Sequence, residues 1–158
     1  MTAQEIHDSL KAKFEGAVVE AKLDAPQPWI RIDEHRIRDV CRFLCDEPGF
    51  EFDYLMCLSG VDYNDGNLGV VYHLSSMPQK HKIVLKVRCT KEDPHVQSVA
   101  SVWGTANWHE REAYDMFGIV FDEHPDLRRI LCGDDYPGHP LRKDFKVPEF
   151  YNGMKVPY

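Results

Sequence analysis

The spacing of hydrophobic residues changes period several times along the chain, and each change predicts a new secondary-structure element. Ile6, Leu10 and Phe14 recur every four residues, which predicts an amphipathic helix near the N-terminus. Thr2 and Glu5 stand at the two positions of a capping box, so this helix is expected to begin there.

A second helix is predicted over about residues 34–46, with Asp33 as its N-cap and Pro48-Gly49 as its stop. Its apolar residues are separated by alternate steps of three and one, which places them on one narrow face. They are Ile37, Val40, Cys41, Leu44 and Cys45.

Short β-prone runs separated by turn residues predict two groups of strands. Residues 17–21 and 29–32 are expected to form a hairpin with a loose loop. Three evenly spaced runs, at about 52–60, 68–75 and 82–89, are expected to form an antiparallel meander because their connections are short.

Two further helices are predicted after the meander. Asp93-Pro94 is typical of a helix start, and apolar residues at helical spacing continue to Gly104. These residues are Val96, Val99, Ala100 and Trp103. The next helix is predicted from Asn107 to about Phe117, with Glu110 as the capping-box partner of Asn107.

No regular element is predicted beyond Phe117, and the element order is typical of an α+β fold. We expect a two-layer sandwich with helices on one face of a mainly antiparallel sheet and an extended irregular C-terminal tail. Residues 1–131 are predicted to form the α+β domain, and residues 132–158 a partner-wrapping tail that is not a separate domain. The tail has apolar residues that would otherwise face water. They are Leu141, Phe145, Phe150 and Tyr151.

Charge and hydropathy narrow the classes of function. The 158-residue chain has a net charge of −7 and shows no stripe of lysine or arginine along the sequence. Because phosphate recognition requires a concentrated positive field, no nucleic-acid partner is predicted. No apolar run approaches the roughly 18 residues of a membrane span, and the N-terminal segment lacks the pattern of a signal peptide. We therefore expect a cytoplasmic chain that reaches a membrane only through partner proteins.

No motif for a metal, nucleotide or iron–sulfur site is present in the sequence. The eight histidines and five cysteines are scattered, without HExxH or CxxC spacing, and neither glycine-rich nucleotide motif occurs. The cysteines are expected to be reduced, and a cluster built from scattered cysteines is the open alternative. No catalytic, cofactor-binding or metal-binding residue is therefore assigned to this chain.

Charged residues are densest between Asn107 and Phe145. Glu110-Arg111-Glu112 are consecutive, so on a helix they point in three directions and do not form one paired-carboxylate site. Glu112 and Asp115 are three residues apart and are expected to share one basic partner, Arg128 or Arg129. An internal ion-pair network and contact with a partner protein both fit this pattern, whereas catalysis is disfavoured.

Two short segments after this helix combine histidine, proline and basic residues. His124-Pro125-Asp126 resembles a base oriented by a carboxylate, but no serine or cysteine nucleophile is paired with it, so a structural or docking role is favoured. Gly138–Asp144 contains a second basic pair, Arg142-Lys143. Arginine and lysine pairs on irregular backbone are expected to anchor to acidic side chains, here or on a neighbour.

The segment Glu110–Leu131 resembles the signature of the thirty-kilodalton subunit of respiratory complex I, a family known in bacteria as the C subunit of NADH-quinone oxidoreductase. Gly138–Phe145 resembles the second hallmark of that family, with Tyr136 where tryptophan is expected. Gly60–Tyr63 and Val71–Leu74 resemble its strand segments.

The resemblance implies a non-redox structural and assembly subunit of the peripheral arm of a proton-translocating NADH-quinone oxidoreductase. The whole complex would pass electrons from NADH through FMN and iron–sulfur clusters to quinone, whereas the isolated chain would be inactive and hold none of these cofactors. The implied partners are the D subunit, of the forty-nine-kilodalton type, and other peripheral-arm subunits, which would attach the chain to the cytoplasmic side of the cell membrane. The motif residues become candidates for the partner interface. They are Glu110, Arg111, Glu112, Tyr114, Asp115, His124, Pro125, Asp126, Arg128, Arg129, His139, Pro140, Leu141, Arg142, Lys143 and Asp144.

Two alternatives stay open on the sequence alone. The same kind of subunit would also suit a ferredoxin- or coenzyme F420-linked dehydrogenase or a membrane hydrogenase, because the electron donor binds elsewhere. Less favoured is a free-standing enzyme that uses His124 and Asp126, which would require turnover by the isolated protein.

Overall fold

The computed structural model describes residues 1–156, so Pro157 and Tyr158, at the end of the predicted tail, lie outside the described part. Residues 1–156 form three helices and nine strands. The helices are α1 (Ala3–Lys13), α2 (Ile37–Asp46) and α3 (Ala106–Phe117). The strands are β1 (Val18–Lys22), β2 (Trp29–Ile32), β3 (Tyr54–Asp62), β4 (Asn67–Ser75), β5 (Lys82–Thr90), β6 (His95–Gln97), β7 (Val120–Asp122), β8 (Phe150–Tyr151) and β9 (Met154–Lys155).

Five strands form one sheet in the order β1-β2-β5-β4-β3. Neighbouring strands are antiparallel except β2 and β5, which pair in parallel. The predicted hairpin is β1 with β2, and the predicted meander is β3, β4 and β5. Both predictions are confirmed, and the parallel pair arises because α2 and two strands of the meander intervene between β2 and β5.

One face of the sheet is buried under the helices, because apolar and polar residues alternate along the central strands. α3 lies close against β3, where a Cβ atom on Gly60 would come within 2.5 Å of Phe117 Cδ2, so this contact requires glycine. The prediction of an α+β two-layer sandwich with a mainly antiparallel sheet is confirmed. The largest fully buried side chains are Tyr72, Phe52, Phe121, Ile6, Leu10, Ile30, Ile32, Ile37, Leu44, Leu68, Leu74 and Ile83.

The starts of the first two helices differ in how well the sequence predicts them. The capping box of α1 is present, with Glu5 N donating to Thr2 Oγ1 at 3.2 Å and Thr2 N donating to Glu5 Oε2 at 2.7 Å. Asp33, however, is not the N-cap of α2, which begins at Ile37. The Asp33 carboxylate instead accepts a hydrogen bond from His35 N at 2.9 Å and closes a turn before the helix.

The prediction of a helix after Asp93-Pro94 is wrong. Residues 95–97 form β6, which pairs in parallel with β7. Val96, Val99 and Trp103 are buried as the spacing suggests, but a strand and turns bury them. The long-range pairing with β7 therefore overrides local helical spacing.

The prediction that no regular element follows α3 is also wrong. β7 follows directly, and residues 150–155 form a short hairpin of β8 and β9. Between them, residues 123–149 contain turns and bends but no helix or strand. The irregular character of the tail thus holds for residues 132–149, and residues 139–142 of this part fold back against the end of α3.

Candidate functional site

Three consecutive residues of α3 point in three directions, as helical geometry requires. Glu110 is fully buried and Glu112 is exposed. Arg111 extends along the surface, where its Nε and Nη2 each donate a hydrogen bond of 3.2 Å, to Arg128 O and Arg129 O respectively. These residues therefore serve different contacts and do not converge on one site.

Glu110 is not the capping-box partner of Asn107, because its side chain points into the core. Its Oε2 accepts a hydrogen bond from Ser98 Oγ at 2.6 Å, and its Oε1 accepts one from Val99 N at 2.7 Å. Burial raises the pKa of Glu110 to about 7, against the opposing effect of these two hydrogen bonds. The carboxyl group ties α3 to the segment that follows β6.

The His124 side chain is fully buried, and main-chain groups occupy both of its ring nitrogens. Nδ1 accepts a hydrogen bond from Asp126 N at 3.0 Å, so Nε2 carries the proton and donates to Asn107 O at 3.1 Å. The Asp126 carboxylate pairs with Arg128 Nε at 2.8 Å instead of orienting the imidazole. Pro125 is exposed at the turn. The imidazole is therefore not available as a base to a substrate.

The Asp115 carboxylate is fully buried and holds the loop that follows β7. Its Oδ2 accepts hydrogen bonds from three successive main-chain N–H groups, those of Ile130, Leu131 and Cys132, at 3.1, 2.8 and 2.8 Å. Its Oδ1 accepts one from Arg129 Nη1 at 2.8 Å. Burial by itself would raise the pKa of Asp115, but the four hydrogen bonds outweigh it and the pKa is lowered.

The prediction that Glu112 and Asp115 share one basic partner is wrong. Arg129 binds Asp115, whereas no basic side chain described in the structure forms an ion pair with Glu112. The second Arg129 nitrogen, Nη2, donates to Gly138 O at 3.0 Å. Arg129 therefore connects α3 to the tail segment Gly138–Phe145.

The tail segment Gly138–Phe145 caps the C-terminal end of α3. An α-helix leaves its last four carbonyl oxygens without helical donors, and here all four accept hydrogen bonds from residues outside the helix. The donor–acceptor pairs are Gly118 N to Tyr114 O, His139 Nδ1 to Asp115 O, Leu141 N to Met116 O and Arg142 Nε to Phe117 O, at 2.8, 3.0, 3.0 and 2.5 Å. The Arg142 charge also lies where the helix dipole is negative.

The cap requires glycine at the turn after α3. Gly118 has φ +72°, and a Cβ atom there would lie 2.5 Å from His139 Nε2 and 2.7 Å from Arg142 Nη2. The His139 ring packs edge-on against Tyr114, with 6.4 Å between ring centroids. Burial, which the Arg142 charge reinforces, lowers the pKa of His139, so the neutral ring donates through Nδ1.

A second buried carboxylate, absent from the predicted site, anchors the same tail segment to the sheet. Asp62 Oδ2 accepts from Lys143 N at 2.8 Å and lies 2.9 Å from Lys91 Nζ, and its Oδ1 accepts from Asn64 N at 2.8 Å. Burial opposes ionisation, yet these contacts lower the pKa of Asp62 to about 2. Asp144 is 3.7 Å from Lys91 Nζ and is mostly exposed.

The prediction that both basic pairs bind acidic side chains holds for only one of them. Arg128 and Arg129 bind carboxylates, but Arg142 binds a main-chain carbonyl and the Lys143 side chain is exposed. Pro140 is half-buried within the cap. The motif residues therefore mostly build the junction between α3 and the tail.

Apolar side chains left exposed cluster in this part of the chain. Of the eleven large hydrophobic residues exposed in residues 1–156, six lie in α3 or after it, with exposed fractions of 51–68%. They are Trp108, Leu131, Leu141, Val147, Phe150 and Met154. Leu141 borders a groove of about 350 Å³ between β3 and α3. This combination of a rigid junction and exposed apolar groups suits contact with another protein.

Two other kinds of feature are absent from residues 1–156. Across residues 1–156, no three His, Cys, Asp or Glu side chains are arranged to hold a metal ion. The same part of the chain contains no helix with the length and apolar character needed to cross a membrane.

Comparisons with known proteins give one consistent family. A family profile described as respiratory-chain NADH dehydrogenase, 30 kDa subunit, matches residues 30–151. The C subunit of NADH-quinone oxidoreductase from Chlorobium phaeobacteroides is 48% identical over 155 residues, which cover 96% of this chain and 93% of that protein. Its namesake from Chloroherpeton thalassium is 52% identical over 151 residues, which cover 94% of this chain and 63% of that protein. This chain thus spans less than two thirds of some of its relatives.

Two solved structures share the fold. A trypsin-resistant fragment of Nqo5 has a TM-score of 0.64 and 30% identity, and the match covers 80% of this chain and all of that fragment. A chain of a membrane-bound sulfane sulfur reductase, an archaeal respiratory membrane complex, has a TM-score of 0.72 at 24% identity, covering 91% of this chain and 85% of that one. At this identity the second likeness shows the fold alone.

Proposed function

Because the chain belongs to the 30 kDa subunit family of respiratory-chain NADH dehydrogenase, we propose that it is a structural subunit of the peripheral arm of a proton-translocating NADH-quinone oxidoreductase. Its relatives are named as a subunit of that enzyme. In this proposal the chain carries no redox centre. FMN, the iron–sulfur clusters, NADH and quinone bind to other subunits, and the isolated chain has no activity.

The observation that carries this proposal is the capped junction between α3 and the tail. All four terminal carbonyl oxygens of α3 are bound, and two buried carboxylates, Asp62 and Asp115, fix the loop and the tail to the body. Beyond Lys146, by contrast, Val147, Phe150 and Met154 are exposed. A rigid junction that ends in exposed apolar groups is well suited to present the last residues to a neighbour.

The neighbour that we propose is the D subunit, of the forty-nine-kilodalton type, with further contacts to other peripheral-arm subunits. Attachment through these partners would hold the chain on the cytoplasmic side of the membrane without a span of its own. A compact body with a separable end is supported by the similar Nqo5 structure, which is described as a trypsin-resistant fragment.

The alternatives receive less support. The relatives named above favour an NADH-quinone oxidoreductase over a ferredoxin- or coenzyme F420-linked enzyme or a membrane hydrogenase. A free-standing enzyme that uses His124 and Asp126 does not fit the geometry, because the imidazole is buried and both its nitrogens bind main-chain groups.

Truncation tests the proposal, and the structure shows where to cut. Removal of all residues after Leu131 would strip the cap from α3 and the Lys143 contact from Asp62, so misfolding and failed assembly could not be separated. A chain ending at Lys146 keeps these contacts and loses the exposed end. We expect this shorter chain to unfold at the same midpoint urea concentration as the full-length chain but to be missing from the complex.

The measurement is purification of the complex in mild detergent, with its subunits identified by mass spectrometry. Full-length chain is expected to co-purify with the D subunit. Co-purification of the chain ending at Lys146 at wild-type yield would show that the exposed end is not the docking segment.

A further inference from the structure

The face of the sheet that points away from the helices gathers basic and aromatic side chains. Residues of β2 and β5 alternate between the two faces, so the neighbours of buried Ile30, Leu85 and Val87 point outward. The basic residues at these outward positions and on β1 are Lys22, Arg31, Lys82, Lys86 and Arg88. The sequence shows no basic stripe because these residues come from separate strands, and only the sheet brings them together.

Aromatic rings hold two of these cations in place. Lys86 Nζ lies 4.1 Å from the centroid of the Trp29 ring, and Arg88 Cζ lies 4.0 Å from the centroid of Tyr63. Gly69 makes room for the tyrosine, because a Cβ atom there would be 2.8 Å from Tyr63 Cε2. The Tyr63 ring can therefore lie across the sheet and support the guanidinium.

This face has more positive than negative charge, although the chain as a whole has a net charge of −7. Glu20 pairs with Arg31 at 3.0 Å, and Asp65 approaches Arg88 at 3.3 Å, at a partly exposed site. Lys86 has no carboxylate within ion-pair distance among residues 1–156. A shallow groove of about 260 Å³ runs between these side chains.

We propose that this face is a second docking surface and that it binds an acidic segment of a neighbouring protein. Arginine forks and ammonium groups held on aromatic rings are suited to carboxylates, and the excess positive charge supplies the complementarity. Extended nucleic acid is disfavoured, because this face has only five basic residues, two of them already paired with carboxylates, and the chain as a whole has a net charge of −7. The surface is separate from the tail, since α3 packs on the opposite face of the sheet.

Titration of the isolated full-length chain tests this proposal without assuming that the chain belongs to an oxidoreductase complex. The probe is a synthetic peptide of alternating glutamate and glycine. Its binding is monitored through the NMR chemical shifts of the backbone amides and of the Trp29 indole. Shifts are expected in β1, β2 and β5 and should weaken as salt is added. The double variant Lys86→Glu with Arg88→Glu should lower the affinity at least about tenfold.

Lys11→Glu with Arg36→Glu is the matched control, because it reverses two exposed basic residues outside the face. Its affinity should stay within about twofold of wild type. Lys86→Gln, which adds no repulsive charge, provides a milder variant if the double variant unfolds, and should still weaken binding.

Three outcomes would overturn the proposal. They are the absence of shifts on this face at millimolar peptide, equal loss of affinity in the control, and tighter binding of an oligothymidylate with the same number of charges. In the intact complex, zero-length carbodiimide cross-linking should join Lys82 or Lys86 to an aspartate or glutamate of another subunit. A chain that binds the peptide but enters no complex would contradict the proposed function and leave this surface standing.

Discussion

The two halves of α3 hold buried carboxyl groups in different states. Glu110 accepts two hydrogen bonds, and burial raises its pKa to about 7. Asp115 accepts four, one of them from Arg129, and its pKa is lowered despite burial. Both side chains are fully buried, so burial alone does not decide their charge, and the number and charge of the donors do. The C-terminal end of α3 is therefore the firmer anchor, and it is the end that holds the tail.

Removing the Asp115 carboxylate should cause the largest loss of stability. Asp115→Ala would leave three main-chain N–H groups and the Arg129 guanidinium without their acceptor, at a cost of roughly 3–5 kcal/mol. Urea unfolding of the isolated chain measures this change. Glu112→Ala, exposed on the same helix, is the control and should change the free energy of unfolding by under about 0.5 kcal/mol. Similar losses in the two variants would contradict the anchoring role of Asp115.

Features whose partners lie close together in the chain could be predicted from the sequence. Thr2 and Glu5 are three residues apart, and their capping box is present. The meander was equally predictable, because short turns join its strands. Residues 93–104 show the limit of this reasoning. Their spacing is helical, but pairing with β7, more than twenty residues later, makes residues 95–97 a strand.

The site could be predicted only as a set of motif residues. The main-chain donors to Asp115 lie 15 to 17 residues away, and Lys143, which donates to Asp62, lies 81 residues away. Hydrophobic period and local spacing carry no information about such pairs. The same limit explains the capping-box interpretation of Glu110, since only the folded chain brings Ser98 within reach of its carboxyl group.

Glu110 should make stability fall as pH rises, a contribution opposite in sign to that of Asp115. Its pKa is about 7 in the folded chain, against 4.5 for an ordinary glutamate. Between these values the folded state keeps a proton that the unfolded state has released, so the free energy of unfolding decreases with pH. The decrease should total up to about 3 kcal/mol, at about 1.4 kcal/mol per pKa unit, and should end above pH 7.

The difference between wild type and Glu110→Gln isolates this effect from other carboxylates. Glutamine keeps an acceptor for Val99 N, and the Ser98 hydroxyl can turn to accept from the new amide. Urea unfolding at several pH values should show the difference shrinking toward acid. Glu112→Gln, the exposed counterpart, should run parallel to wild type. A parallel profile for Glu110→Gln would mean that burial does not raise the pKa of Glu110.

The smallest expected effect tests whether the cap opens separately from the rest of α3. Gly118→Ala places an alanine at φ +72°, which costs about 1–2 kcal/mol, and its Cβ atom would displace His139 and Arg142 from the helix end. Gly104→Ala is the control, since no atom lies within 4 Å of its added Cβ and φ is not positive. We expect urea unfolding to detect the loss only in Gly118→Ala.

Hydrogen exchange then shows where that loss is felt. If the cap is a local unit, the Leu141 amide, which donates to Met116 O, should exchange faster in Gly118→Ala. The Val99 amide, which donates to Glu110 in the N-terminal half of α3, should keep its wild-type rate. Equal acceleration at both amides would mean that the helix opens as one body. The difference between Glu110 and Asp115 would then concern only their protonation. The two halves of α3 would not hold their neighbouring segments independently.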